Sequence, residues 1–368
     1  AGKRIVLGIT GSIAAVEVVK LAREFARHGA EVIPVMSHAA TKIIHPDAVH
    51  FATGNVPIIE LDGAVKHVEL CGDSKYRADL LLIAPATANT ISKIAQGIDD
   101  TSVTTMASCA MGSKMPIIIV PAMHGSMYNH DIIMENVEKL KSKGVVFVGP
   151  RMEEKKAKMA TQADIIRQAC RALGPNDLKG RKVLVIMGST REPIDDVRFI
   201  SNVSSGRTGI ALAEEAYRRG ADVEAWAEEG LEVPDFIACK RFKSVRDLEK
   251  MAHRARADII LVPAAIADFS AKPAKGKLPS GKGIALKLEP ARKILGLLPK
   301  TGIIVGFKAE TGITAKELEK RARARMAEHG LDLMVANLLE DVKAETTAAL
   351  LLAPGERARQ FKGRKAEL

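Results

Sequence analysis

The sequence predicts an α/β protein built as two doubly wound parallel-sheet domains. Three observations predict it. Apolar runs of strand length recur along the 368 residues and alternate with stretches of helical periodicity. Small segments bearing glycine or hydroxyl groups follow the apolar runs directly, where an open parallel sheet places its ligands. The alternation is interrupted by LGPNDLKGR at 173–181, whose Gly, Pro, Asn and Asp content marks a boundary. The expected domains are therefore 1–172 and 182–368, with 173–181 as linker.

In the first domain, 4–9 reads as a strand, followed by Thr10-Gly11-Ser12 and a helix. Val18, Leu21, Ala22 and Phe25 fall at i, i+3, i+4 and i+7, one apolar face. Gly29 closes that helix, and 31–36 is the next strand, with Ser37 and His38 at its end. Further strands are expected at 79–84, 116–120 and 145–148. At the strand ends lie TGSIAA (10–15), Ser37-His38, APATANT (84–90) and PAMHGSMY (121–128). Gly11 allows close backbone approach, and Ser12, Thr87 and Asn89 offer hydrogen bonds to a phosphate or ring edge. No GxGxxG dinucleotide fingerprint is present.

In the second domain, strands are expected at 183–186, 221–227, 258–262, 302–306 and 332–336, with 347–352 adding a last strand or strand pair. Between the first strand and a helix at 210–219 runs MGSTREPIDDVRFISNVSSGRTG, 187–209. A connection this long is uncommon unless it binds something. Its loop N–H groups and the following helix dipole favour an anion. The 263–288 segment carries the Pro, Gly and Lys content of a mobile loop, and 315–329 reads as a basic helix with Glu317 and Arg321 spaced i,i+4.

The totals narrow the function classes. Apolar residues are 47% but aromatics only 4%, so aliphatic side chains must fill the cores. The net charge of +11 favours anionic ligands. No basic stretch is interleaved with aromatics, so small phosphorylated ligands are expected rather than nucleic acid. Cys71, Cys109, Cys170 and Cys239 form no CxxC pair, which fits a reducing cytoplasm. Neither a signal peptide nor an apolar run of membrane-spanning length is read.

STREPIDDVRFISNVSSGRTG resembles the signature of phosphopantothenate–cysteine ligase, the second half of the bifunctional coenzyme A biosynthesis flavoproteins. GITGSIAA, KHVEL, APATANT and PAMHGSMY resemble the motifs of the flavin-dependent cysteine decarboxylases. For the first half the resemblance implies a flavodoxin-like domain holding FMN at Gly11, Ser12, Ile13, Ser37, Thr87, Ala88, Asn89 and Ala122, with His67 as the catalytic histidine. It also implies oxidation of the substrate thiol to a thioaldehyde, loss of CO₂, and re-reduction to the product. Two departures stand out. His124 occupies the place of the family's substrate-contacting asparagine. The segment GPRMEEKKAKMATQAD lacks the family's flap cysteine, leaving Lys155, Lys156 and Lys158 as conceivable proton donors and Cys170 downstream in a helix.

For the second half, AAIADF and GFKAET resemble ligase motifs. They imply a Rossmann-like domain with a CTP site, in which Asp268 reads cytosine, Phe307 lines the nucleotide pocket and Lys277 lies on a flexible loop. Asn202 would handle the acyl-cytidylate, and Arg325, Arg321 or His329 would contact the triphosphate. The family's TPDIL reads ARKIL here, 291–295. The implied reaction joins L-cysteine to 4′-phosphopantothenate with CTP and Mg²⁺, after which decarboxylation gives 4′-phosphopantetheine. A homo-oligomer with flavin sites between subunits is implied as well. Two alternatives stay open: an active ligase with an impaired decarboxylase half, and a flavin-binding regulatory subunit.

Overall fold

The computed structural model describes residues 2–153, 156–279 and 283–368. The chain divides into two compact units, 1–174 and 175–368. Residues of the 173–181 segment are tied into the second unit: the Leu178 N–H donates to the Arg219 carbonyl at 3.0 Å, and Asp177 pairs with Arg219.

The first unit holds a five-stranded parallel sheet. Its strands are β1 (Arg4–Ile9), β2 (Glu31–Met36), β3 (Leu80–Ala86), β4 (Ile117–Pro121) and β5 (Val146–Phe147). They lie side by side in the order β2-β1-β3-β4-β5. Central strands read as continuous apolar runs because helices cover both faces. Ile5, Leu7, Ile9, Leu80 and Leu82 meet Val18, Leu21, Phe25 and Ile165 on one face. Val6, Leu81 and Ile83 meet Ile91, Met106 and Ala107 on the other. The expected face of Val18, Leu21, Ala22 and Phe25 is the buried face of the Val18–Arg27 helix. Strand order reverses between β1 and β3, so their C-terminal ends open the crevice at which such sheets bind ligands.

The second unit begins at β6 (Lys182–Met187) and continues with β7 (Asp222–Glu228), β8 (Ala238–Phe242), β9 (Ile259–Val262), β10 (Ile303–Glu310) and β11 (Leu333–Leu338). These six are parallel, in the order β8-β7-β6-β9-β10-β11. The tract expected as a last strand or strand pair forms β12 (Thr346–Leu352), antiparallel to β11, and β13 (Arg359–Arg364) completes the sheet. Leu184, Ile186 and Ile260 pack on Leu248, Leu318 and Met326; Val183 and Val185 pack on Ala213 and Ala216. Here the order reverses between β6 and β9.

Three features differ from the sequence expectation. Strand β8 has no apolar run to announce it: ACKRF buries only Phe242, as a charged edge strand does. The 187–209 connection is not structureless, since Arg191–Pro193 and Phe199–Ser201 pair as a hairpin. The helix after it starts at Arg207 rather than 210, with Gly206 left-handed at its N-cap. Among the described residues no helix is long and apolar enough to cross a membrane.

Gly188 controls how that connection leaves β6. Its φ is +93°, and an added Cβ would lie 2.7 Å from the Cβ of Glu228. Gly188→Ala therefore combines left-handed strain of about 1–2 kcal/mol with overpacking of about 1–3 kcal/mol. A loss of at least about 2 kcal/mol is expected in the chemical denaturation of the second unit. An unchanged denaturation midpoint would show that Glu228 yields to the added methyl without cost.

Candidate active sites

In the first unit, hydroxyl residues stand at three strand ends, and each caps the helix that follows. Ser12 accepts from the Ala14 N–H and donates to the Ala122 carbonyl at 3.1 Å. Ser37 accepts from the Ala40 N–H. Thr87 accepts from the Thr90 N–H, and its own N–H donates to Thr10 Oγ1 at 3.1 Å. These bonds join the ends of β1, β3 and β4. The freedom of Gly11 is taken by the protein itself: an added Cβ would meet the Ala39 Cβ at 2.5 Å. Ala88 and Ala122 are buried, and Asn89 is exposed. Ile13 and Val16 are 77% and 52% exposed at this edge, apolar surface that a flat ring would cover.

His67 lies on the Lys66–Cys71 helix, whose Leu70 and Cys71 anchor it in the core. Burial pushes the Cys71 thiol up to about 12, so it stays neutral. His67 Nδ1 is buried and has no hydrogen-bond partner among the described residues. A buried ring nitrogen left unpaired costs free energy unless a ligand or another group meets it. The orphan nitrogen and the exposed apolar pair both fit a bound flavin and substrate.

His124 caps a short helical turn: its Nδ1 lies 2.9 Å from Ser126 Oγ. Its backbone pairs with Lys156, and Met123 with Ala157, so the segment lacking the expected cysteine forms a hairpin whose returning strand runs beside His124. Lys158 in that hairpin is ion-paired to Glu153 at 2.8 Å. Lys155 lies outside the described residues. Cys170 sits in the Gln162–Ala172 helix.

In the second unit, a cavity of about 770 Å³ opens at the β6/β9 reversal. Asn202, Asp268, Phe307 and Arg325 all line it; Lys277 does not. The connection after β6 is held in place from below. Burial alone would raise the Glu228 carboxyl, yet the N–H and hydroxyl of Ser189, each at 2.9 Å, and the Arg191 guanidinium hold it below its ordinary value. Thr190 Oγ1 accepts from the Ala267 N–H at 2.9 Å. Asn202 donates from Nδ2 to the Ala265 and Ile266 carbonyls at 3.4 and 3.2 Å. Asp268 is paired with Lys293, which belongs to the divergent ARKIL segment.

Six basic side chains line the cavity: Arg207, Arg292, Lys293, Lys308, Arg325 and Lys365. The acids lining it are Asp268 and Glu310, and they pair with Lys293 and Lys308. Arg207, Arg292, Arg325 and Lys365 have no carboxylate partner within salt-bridge distance among the described residues. Arg321, the alternative to Arg325, points its charge at Glu317 and Glu310 instead. His329 does not line the cavity, and burial holds its imidazole below the usual range. Sequence reasoning missed Arg207, Arg292 and Lys365. Only the RTG after SSG offered a signal.

The segment expected to be mobile around Lys277 is pinned on both sides of that residue. The Gly276 N–H donates to Asp196 at 2.9 Å, and the Leu278 N–H donates to Asp195 at 3.0 Å. Residues 280–282 of the same segment lie outside the described residues.

Two family descriptions match the chain: "Flavoprotein" over residues 1–174 and "DNA/pantothenate metabolism flavoprotein C-terminal domain" over residues 178–368. A "Coenzyme A biosynthesis bifunctional protein CoaBC" of Thermococcus kodakarensis is 48% identical over 362 residues, covering 95% of this chain and 89% of that one. The protein of the same name from Methanocaldococcus jannaschii is 42% identical, covering 91% and 83%. The crystal structure of a DNA/pantothenate metabolism flavoprotein from Streptococcus pneumoniae superposes on 51% of this chain and 94% of its own, with a TM-score of 0.48 and 22% identity.

The Asp195 contact generates a prediction. The N–H groups of Val197 and Leu278, with that of Arg198, hold its carboxyl below the ordinary range. A depressed pKa contributes stability above the unfolded value, and that contribution is lost as pH falls through the folded one. In Asp195→Ala, the Leu278 amide should exchange faster than in the unaltered protein, after correction for intrinsic rates. Acidification should shrink the difference between the two. Equal protection at neutral pH would show that the carboxylate does not hold this segment.

Proposed function

Because the chain belongs to the family of bifunctional coenzyme A biosynthesis proteins, we propose that it carries both reactions of that family on its own residues. In this reading the second unit joins L-cysteine to 4′-phosphopantothenate at the expense of CTP. The first unit then decarboxylates the product to 4′-phosphopantetheine. The observation that carries the ligase reading is the cavity with four basic side chains lacking a carboxylate partner. A polyphosphate supplies the charge such a lining calls for.

The ligase step runs as follows. The phosphopantothenate carboxylate attacks the α-phosphorus of CTP and pyrophosphate leaves, giving an acyl-cytidylate. The cysteine amine then attacks the acyl carbon and CMP leaves. Arg207, Arg292, Arg325 and Lys365 offset charge on the phosphate oxygens as the α–β bond breaks. Mg²⁺ enters with the triphosphate, its common mode of binding. Phe307 packs on the nucleotide and Asn202 orients the activated carboxyl. Asp268, paired with Lys293, reads the base. Lys277 reaches the site once the Asp195 and Asp196 contacts that pin its segment are released.

FMN would sit at Gly11, Ser12, Ile13, Ser37, Thr87, Ala88, Asn89 and Ala122, where it supplies reversible two-electron oxidation of the substrate thiol. His67 acts as the base or electrostatic partner for that thiol. Ile13 and Val16 exclude water from the reacting face. His124, with Nδ1 engaged by Ser126, keeps Nε2 for the substrate. The engaged ring also favours a second reading, a ligase whose decarboxylase half is impaired. The working unit is expected to be a cytoplasmic homo-oligomer with flavin sites between subunits.

The test is CO₂ release from synthetic phosphopantothenoylcysteine by FMN-loaded protein without CTP. Release is expected, reduced about 10²–10⁴-fold in His67→Ala. Loaded protein that releases no CO₂ but still forms pyrophosphate from CTP and phosphopantothenate would establish the second reading. Absence of both activities would end the proposal.

A further inference from the structure

Lys365 follows β13 and opens the short turn Lys365–Glu367, which packs against the Arg207–Arg218 helix. It is 6% exposed and lines the cavity. Its backbone N–H donates to the Glu345 carbonyl at 2.9 Å. Its ammonium has neither a hydrogen bond nor an ion pair among the described residues. The neighbouring acid on its own turn, Glu367, is taken by Arg364. Another cation, Arg207, lines the same cavity and is near enough to act on Lys365. Burial and Arg207 both push the Lys365 ammonium below its ordinary value, with Glu345 opposing.

A buried lysine without a partner is costly unless an anion meets it, and the exposed Arg207 lining the same cavity adds to the call for one. A second feature points at the same spot. The twelve-residue Arg207–Arg218 helix starts there, behind left-handed Gly206 and with no side-chain cap. Its first N–H groups therefore lack a side-chain acceptor, and its dipole favours negative charge. Ser204 to Gly209 line the cavity along this turn.

We propose that Lys365 is a phosphate-binding residue of the ligase cavity, clamping one phosphate group with Arg207 against the N-terminus of the Arg207–Arg218 helix. The inference deepens the ligase reading above and rests on it. The shared ligand chemistry is a phosphate bearing two or more free oxygens. The nucleotide's polyphosphate and the phosphate ester of phosphopantothenate both supply it. The clamp also gives a part in the site to a residue about 160 positions after the SSG segment. That separation follows from β12 and β13 adding to the sheet edge and returning the chain to the cavity.

The experiment compares the full chain with Lys365→Met and Lys365→Arg by titration with inorganic triphosphate, CTP, 4′-phosphopantothenate and unphosphorylated pantothenate. Thermal midpoints are recorded with and without each ligand. Losing a charge-assisted phosphate contact should weaken binding about 10–100-fold in Lys365→Met. Lys365→Arg should recover most of the loss, and the KM for cysteine should not change. Ligand-free Lys365→Met should melt no lower than the unaltered protein, because it sheds an unpaired buried charge. A loss confined to triphosphate and CTP assigns the clamp to the nucleotide. A loss confined to phosphopantothenate, with pantothenate unaffected, assigns it to the acyl substrate. Undiminished binding of all ligands by Lys365→Met overturns the proposal and leaves the ligase reading intact. A ligand-free variant that melts lower and binds normally makes Lys365 structural, and also overturns it. An unaltered protein that binds none of the phosphorylated ligands removes both readings together.

Discussion

The buried carboxylate of Glu228 is the constraint on which the second site depends. It ends β7 beside the exit of β6, where only a glycine leaves it room. Having lost water, it needs donors, and it takes the N–H and hydroxyl of Ser189 together with Arg191. That choice fixes the direction in which the 187–209 connection leaves the sheet. Thr190 then reaches the backbone after β9, Ser201 returns to Ser189, and Asn202 bonds the 265–266 carbonyls. The cavity wall is thus a chain of satisfied polar contacts starting from one acid. Breaking the first link would leave a buried charge unpaired, which is costlier than losing an exposed pair.

The positive balance of the chain acquires a location through pairing. Several basic residues on helix surfaces are matched at i,i+3 or i,i+4, such as Arg218 with Glu215, Arg321 with Glu317 and Arg323 with Glu319. Exposed pairs of this kind contribute little and bind nothing. The cavity reverses the pattern. Its two acids are used up by Lys293 and Lys308, and four cations are left over in a concave space. Net charge alone favoured anions in general; the unmatched subset favours a compact polyanion.

Much of the fold was legible because parallel strands buried on both faces must be continuous apolar runs. β1 to β4, β6 and β9 carry that pattern plainly. β8 does not, because an edge strand with Lys240 and Arg241 facing water has no such run. The hairpin inside 187–209 was hidden by its polar composition, although Asp195 and Asp196 fix its turn and the Lys277 segment together. Among site residues, Asn202, Asp268, Phe307 and Arg325 were found through motif resemblance, and all line one cavity. Lys365 was not found: no spacing rule links it to Arg207, and only the added antiparallel strands bring the two together. At Gly11 the protein's own packing also demands glycine, since an added Cβ would meet the Ala39 Cβ. A sequence records that a side chain is missing, not which neighbour requires its absence.

The two units meet the same problem at their strand ends and leave different surfaces. In the first, Ser12, Ser37 and Thr87 use their oxygens to cap helices, so the hydroxyls are largely committed to the protein. That edge leaves the apolar side chains of Ile13 and Val16 uncovered beside the exposed Asn89, and elsewhere in the unit His67 Nδ1 is buried without a partner among the described residues. In the second, the Arg207–Arg218 helix has no side-chain cap at all, and basic residues gather before its first turn. A cap takes up one of a helix's free N–H donors, so the first edge offers fewer of those donors and more apolar surface to a ligand. An uncapped edge keeps those donors for the ligand and is suited to concentrated negative charge. Gly206 is itself required by the backbone, since its φ is +66° and an added Cβ would meet the Leu231 Cδ2 at 2.5 Å, and the uncapped helix start is what that requirement leaves for a ligand.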